Sequence, residues 1–273
     1  MNAPVQGASP SAAKPWRVVE AWRMRWPQLQ VVDPLAVSRA ELALAHDKDF
    51  VDRVLDCRAD NGFGTRSEAL NRSLPWTSGA MLRAARLAIE TRSIVAAPVS
   101  GFHHACWNEA GGYCTFNGLM VTAIALHREG LARRVGILDY DMHYGNGTAD
   151  IIKRLSIDWV THISAGARYR FRRDAAAFMA NIAADLASLA DCDVVLYQAG
   201  ADPHVDDPLG GLLDTEQMAE RDAQVFAGLR ARGVPVAWNL AGGYQEPLRK
   251  VVALHVNSMR ECLAALGEGG GGS

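Results

Sequence analysis

The sequence holds no apolar run approaching the roughly 20 residues that a membrane-spanning helix needs, so no helical span is expected. Its five cysteines, Cys57, Cys106, Cys114, Cys192 and Cys262, are an odd set without a C-x-x-C pair, which speaks against a disulfide framework and against a paired-cysteine metal site. The N-terminus has no basic-then-apolar signal segment, so a reduced, cytoplasmic protein is expected. Charge of one sign is also missing: 28 basic and 30 acidic residues are scattered, the formal net charge is −2, and nucleic acid is excluded as a partner.

What is present is enough to bury a core, since 49% of 273 residues are hydrophobic. A single domain over residues 15–266 is expected. An Ala-, Pro- and Ser-rich leader over 1–14 precedes it, and a Gly-rich tail over 267–273 follows. Residues 16–26 predict an amphipathic helix and 29–32 a short strand. Helices are expected over 38–45, 47–55, 78–91, 117–128, 146–155, 174–190 and 216–232, with a last one reaching 266. Strands are expected over 93–97, 134–138, 159–164, 193–198 and 234–240. This alternation predicts an α/β fold, a mainly parallel sheet with helices on both faces.

The chain is organised around residues 136–148, where an apolar strand runs into Asp139, Asp141 and His143. Alternation along a strand sends residues two apart to one side. Carboxylate and imidazole suit a borderline divalent metal, and the carboxyl ends of strands in open α/β sheets are where ligands bind. The bland reading is turn formers and helix caps, because short polar side chains satisfy orphan amides. Three further strand ends weigh against it. They carry His103-His104 with Gly111-Gly112-Tyr113-Cys114 downstream, then Asp202-Pro203-His204-Val205-Asp206-Asp207-Pro208, and Gly242-Gly243-Tyr244. One sheet edge would gather all four.

With these motifs in order, residues 45–265 resemble the zinc-dependent histone deacetylases and their bacterial relatives, among them the acetylpolyamine amidohydrolases. The Gly-Phe-His-His, Gly-Gly-Tyr and Asp-Pro-Leu-Gly-Gly segments are most similar to the small class IV branch. The resemblance implies an arginase-like three-layer α/β/α sandwich and a metal-dependent deacylase. It implies Asp141, His143 and Asp207 as metal ligands, with His103 and His104 as the catalytic pair. Asp139 and Asn146 would partner those histidines, and Tyr244 would donate to the oxyanion. Gly112 and Tyr113 match a substrate tunnel, and Trp107 and His204 are candidates for its entrance. Ser164, with Asp139, Asp141 and His143, matches a monovalent-cation site, implying structural K⁺. Zinc is the expected metal, and iron(II) would accept the same donors.

Departures from the family pattern are Tyr144 where many relatives have a second His, Asn146 where one branch has Asp, Tyr113 in place of Phe, and a short N-terminal region. Two substrates fit: an acylated lysine in a peptide or protein, or an acylated small amine such as an acetylpolyamine. An acidic entrance built from Asp60, Asp202 and Asp206 would favour the second. A third reading, of a different class, is a catalytically silent binding protein. An arginase-like binuclear site is disfavoured because Gly145 stands where a further Asp is needed. His46, His127, His162, His255 and Met142 are expected to be structural.

Overall fold

Five short strands, β1 (Ile94–Ala97), β2 (Val135–Asp139), β3 (Val160–Ser164), β4 (Val194–Gln198) and β5 (Val236–Asn239), form one parallel sheet in the order β1-β5-β4-β2-β3. The structure, a computed structural model, describes residues 13–267, so 1–12 of the expected leader and 268–273 of the expected tail lie outside the described residues. Nine helices accompany the strands among the described residues: α1 (Lys14–Arg25), α2 (Arg39–Leu42), α3 (Lys48–Leu55), α4 (Glu68–Thr91), α5 (Gly118–Arg128), α6 (Asn146–Arg154), α7 (Ala175–Ser188), α8 (Thr215–Ala231) and α9 (Arg249–Leu266).

β2 and β4 are apolar up to their last residues, Asp139 and Gln198, and buried at every position, because both faces of a parallel sheet are covered. Two apolar cores result. On one face Val18, Trp22, Phe178, Ile182, Phe226 and Leu263 of α1, α7, α8 and α9 pack on Val195, Tyr197 and Trp238. On the other, Leu42, Phe50, Leu82, Leu119, Ile124 and Ile151 of α2 to α6 pack on Ile137, Leu196 and Ala237. This is the three-layer α/β/α sandwich expected from the alternation of elements.

Register places polar residues in one row at the carboxyl edge. Asp139 ends β2 and pairs with both Ser164 of β3 and Gln198 of β4, and Gln198 pairs with Asn239 of β5. From β2 the chain moves outward to β3, and from β4 it moves the opposite way to β5. The crevice between β2 and β4 is therefore the switch point where such sheets bind ligands.

Three expectations are corrected. Residues 29–32 form no strand: Leu29 N–H bonds Trp26 O, Val37 N–H bonds Pro75 O, and the stretch between bridges the two helical layers. Strand propensity is not realised without a ladder to join. Leu29, Val31 and Val32 instead line an apolar groove of about 630 Å³ beside β1. Helix α4 begins at Glu68, capped by Ser67, and continues through Pro75, whose carbonyl takes the Val37 amide. The expected helix begins only at residue 78. Lys14, assigned to the leader, opens α1 and is fully buried.

Candidate active site

The turn after β2 carries Asp141 and His143, and the turn after β4 carries Asp202. Asp141 Oδ1 lies 3.1 Å from His143 Nδ1, and Asp202 Oδ2 lies 2.9 Å from that same nitrogen. These three side chains offer donor atoms within 4.8 Å of one another. Asp202 Oδ2 is buried and lacks an aligned hydrogen-bond partner in the protein. Buried anionic oxygen in that state requires a cation or a proton. Burial and the adjacent Asp141 push Asp202 up to about 7, and the carboxylates of Asp141 and Asp202 beside its Nδ1 push His143 up to about 10. Both shifts register a cluster short of positive charge. The donor set, hard oxygen with one imidazole, fits a divalent metal ion.

Asp207 is beside this trio rather than within it. Its Oδ1 accepts from Leu209 N–H at 3.0 Å and its Oδ2 from Tyr244 N–H at 2.7 Å. Burial raises its pKa, and Asp141 adds to that. Asp202, read from the sequence as a rim carboxylate, is wholly buried behind the Gly242-Gly243 turn. A Cβ on Gly242 would lie 2.1 Å from its Oδ1, so the turn tolerates no side chain there.

The paired histidines are differentiated by their partners. His103 Nδ1 donates to Asp139 Oδ2 at 2.8 Å, and its Nε2 lies 3.6 Å from Asp141 Oδ1. Burial lowers its pKa, but Asp139 and Asp141 outweigh burial and raise it to about 9. His104 Nδ1 lies 2.6 Å from Asn146 Oδ1, and an amide oxygen can only accept. His104 therefore carries its proton on Nδ1 and leaves Nε2 as a base. Burial, followed by the neighbouring His103, lowers its pKa. The rings lie 4.1 Å apart, with carboxylates favouring the charged form of His103 and burial the neutral form of His104.

Asp139 is held on all sides. It accepts from Gln198 Nε2 at 3.2 Å, from Asp141 N–H at 3.3 Å and from Ser164 Oγ at 3.5 Å. Gln198 Oε1 in turn takes Phe102 N–H, tying the loop that carries both histidines to the sheet. Gly145 must be glycine, because its Cβ would meet Asp139 Oδ2 at 2.5 Å.

Tyr244 follows Gly242 and Gly243, both at positive φ, which turns its ring back over the sheet edge. Its ring lies 5.8 Å from Tyr113, which lies 5.6 Å from Phe63. Burial, with Asp202 and Asp141 nearby, raises the Tyr244 phenol far above its ordinary value, so it stays a donor. Gly112 at positive φ lets the backbone pass within 2.5 Å, measured from a would-be Cβ, of the His104 ring.

The two entrance candidates are each held by local contacts. The Trp107 ring stacks under Arg154 at 4.4 Å, and its amide donates to Asp150, so it faces α6. His204 uses both nitrogens inside its own turn, accepting from Asp206 N–H and donating to Thr215 Oγ1. It braces the segment bearing Asp207. His46 is structural as expected, bonding Cys106 O and Asn117 N–H, and burial lowers it to about 4. His162 also lacks a partner at Nε2 and is lowered by burial. Residues that motif reading did not single out are Gln198, Arg221 and Lys14. The ammonium of Lys14 donates to Gly242 O at the back of the site, and burial lowers its pKa to about 8. A solitary lysine in a Pro-rich stretch carries no signal of such burial.

The histone deacetylase domain profile matches residues 11–166, more than half of the chain. An uncharacterized protein of Picosynechococcus is 29% identical over 255 residues, covering 83% of this chain and 82% of its own length. Histone deacetylase 2 of Arabidopsis thaliana is 25% identical over 264 residues, covering 84% of this chain and 67% of its own. Among solved structures, an acetylpolyamine aminohydrolase from Burkholderia pseudomallei superposes with a TM-score of 0.77 at 19% identity, over 96% of this chain and 92% of that one. A domain match of this extent, on an arginase-like deacetylase fold, makes the chain a member of the histone deacetylase domain family and a metal-dependent deacylase.

Proposed function

We propose that the protein removes an acyl group from a lysine-like amine in a peptide or protein, with zinc at the centre formed by Asp141, His143 and Asp207. The observation that carries this reading is the split histidine pair beside a convergent carboxylate and imidazole cluster. A divalent ion bound there supplies Lewis acidity, polarising an amide carbonyl and making water more acidic. His104, neutral with Nε2 free, takes the water's proton and later returns a proton to the leaving amine. His103, cationic and fixed by Asp139, adds positive charge beside the reacting atoms and holds its orientation. Tyr244 donates a hydrogen bond from its phenol to the developing oxyanion. Tyr113 and Gly112 grip the aliphatic chain, and Ser164 with Asp139, Asp141 and His143 would hold a structural K⁺.

Asp207 is preferred to Asp202 as third ligand because the resemblance implies the Asp directly before Pro, and because Asp202 lies beneath the glycine turn. Asp207→Asn is expected to lower zinc stoichiometry well below one per chain, and Asp202→Asn to keep it near one. Elemental analysis of the purified variants decides, and the reverse pattern moves the ligand role to Asp202.

The small-amine alternative needed an acidic rim. Asp60 is paired with Arg66 at 2.7 Å, Asp206 lies 3.8 Å from Lys250, and Asp202 is buried. With its carboxylates so occupied, the entrance has little to attract a polycation. The test is hydrolysis of fluorogenic acetyl-lysine and long-chain acyl-lysine peptides, with acetylpolyamine as competitor. Chelator-sensitive turnover on either peptide supports the reading. Turnover of the polyamine alone supports the small-amine substrate, and turnover of none supports a silent binder.

The Asn146 departure has a pH consequence. His104 works as the free base, so kcat/KM falls as pH drops through its pKa, which is depressed here. Asn146→Asp puts a carboxylate against Nδ1 and raises that pKa, by about 1–3 units for an opposite charge at this range. The acidic limb of the profile should move to higher pH by at least about one unit. An unmoved limb would mean that His104 is not the base.

A further inference from the structure

We infer that Arg221 of α8 is a positioning residue for the metal centre, clamping the two strand ends that carry its ligands. This rests on the metal-centre reading above. The β2–β4 ladder ends at the pair Asp139 and Gln198. Beyond it the two chains turn apart to present Asp141 on one side and Asp202 on the other, and their carbonyls leave the ladder. Arg221, wholly buried, takes over there. One guanidinium nitrogen, Nη1, donates to Gly200 O at 2.8 Å and to Tyr140 O at 3.2 Å. Tyr140 directly precedes Asp141, and Gly200 opens the segment after β4 that carries Asp202 and then Asp207. The strand ends also touch at this level, since a Cβ on Gly200 would lie 2.5 Å from Asp141 Cα.

The clamp is itself anchored. Arg221 Nε and Nη2 each lie 2.8 Å from Asp222 Oδ1, and that pair is about 1% exposed on both sides. Asp222 further accepts Tyr197 OH from β4 and Ser258 OH from α9. The guanidinium cannot swing away without breaking a network spanning three elements. Only a planar fork bonds a carboxylate with one edge and two divergent carbonyls with another, and a lysine in its place would reach one carbonyl at most. Groups standing behind metal ligands typically alter affinity 10- to 100-fold when lost.

The test measures metal binding directly in the full chain. Zn²⁺ dissociation constants are obtained by competition with a chromogenic chelator, and the visible spectrum of the Co²⁺-loaded protein reports ligand geometry. Arg221→Lys keeps the charge and loses the fork, and is expected to weaken Zn²⁺ about 10- to 100-fold and to shift the Co²⁺ bands. Because that variant could fail to fold, Arg221→Gln with Asp222→Asn removes both buried charges together, so that neither is left buried and unpaired. It should show the same loss of affinity. Wild-type affinity and spectrum in either folded variant would overturn the clamp and leave a core ion pair. A wild-type chain that binds no Zn²⁺ would instead overturn the metal-centre reading, and the clamp with it.

Discussion

Asn in place of Asp141 should remove most of the thermal stabilisation that zinc confers and should also lower the stability of the metal-free protein. Asp141 is buried, lies 3.1 Å from His143 Nδ1, and crowds Asp202. Burial pushes its pKa up, but His103 and His143 outweigh burial and hold it below the usual carboxylate range. It is therefore the charged member of the cluster. Asn preserves size and the contact with the His143 amide while removing the charge a cation needs. Without metal, that substitution relieves the repulsion that raises Asp202 but removes the anion that His103 and His143 hold charged, so the metal-free variant should melt below wild type. With metal, the site loses one partner of a buried charge set, which costs about 3–5 kcal/mol, a factor on the order of 10²–10⁴. At zinc a thousandfold above the wild-type Kd, wild type should gain about 4 kcal/mol of apparent stability, and the variant at most about 1.4 kcal/mol. Melting curves with and without zinc read both quantities, and turnover should fall in step with metal occupancy. A variant that melts like wild type in zinc would remove Asp141 from the centre.

Much of this site is visible in the sequence because strand ends have a strict geometry. Asp139 and Asp141 could be placed together once residues 134–138 read as a buried strand, and the His103-His104 and Tyr244 motifs lie at edges of the same sheet. What sequence does not disclose is depth. Asp202 sits in a Gly-Ala-Asp-Pro turn, which reads as surface chemistry, and only the contact of the Gly242 turn with its carboxylate buries it. Arg221 stands in a helix rich in charge, where an arginine next to an aspartate reads as a solvated pair. Its burial depends on α8 and α9 closing over the end of β4. His204 and Trp107 follow motif positions closely enough to suggest an entrance role, yet local hydrogen bonds and a stacked arginine turn each aside. The strand expected over 29–32 had the right composition. Propensity for a strand is a statement about neighbours, and here the chain had layers to connect.

Tyr244→Phe should lower kcat on the order of 10²–10³-fold with little change in KM, metal content or melting temperature. The substitution removes one oxygen. Its ring keeps the 5.8 Å packing against Tyr113, and the backbone amide keeps its 2.7 Å bond to Asp207. The phenol, held protonated by burial and by Asp202 and Asp141, is an uncharged donor at every pH where the enzyme folds. A donor of that kind contributes most when charge appears on the carbonyl oxygen and little in the ground state, so its loss falls on kcat. Removal of a comparable oxyanion donor costs about 2.7–4 kcal/mol in other hydrolases. Steady-state kinetics on whichever acyl-lysine peptide turns over best, with metal content measured in parallel, separate the outcomes. A fall of less than tenfold at full metal occupancy would mean that the oxyanion is held by the metal and His103 alone. An unchanged kcat with raised KM would make Tyr244 a wall of the tunnel.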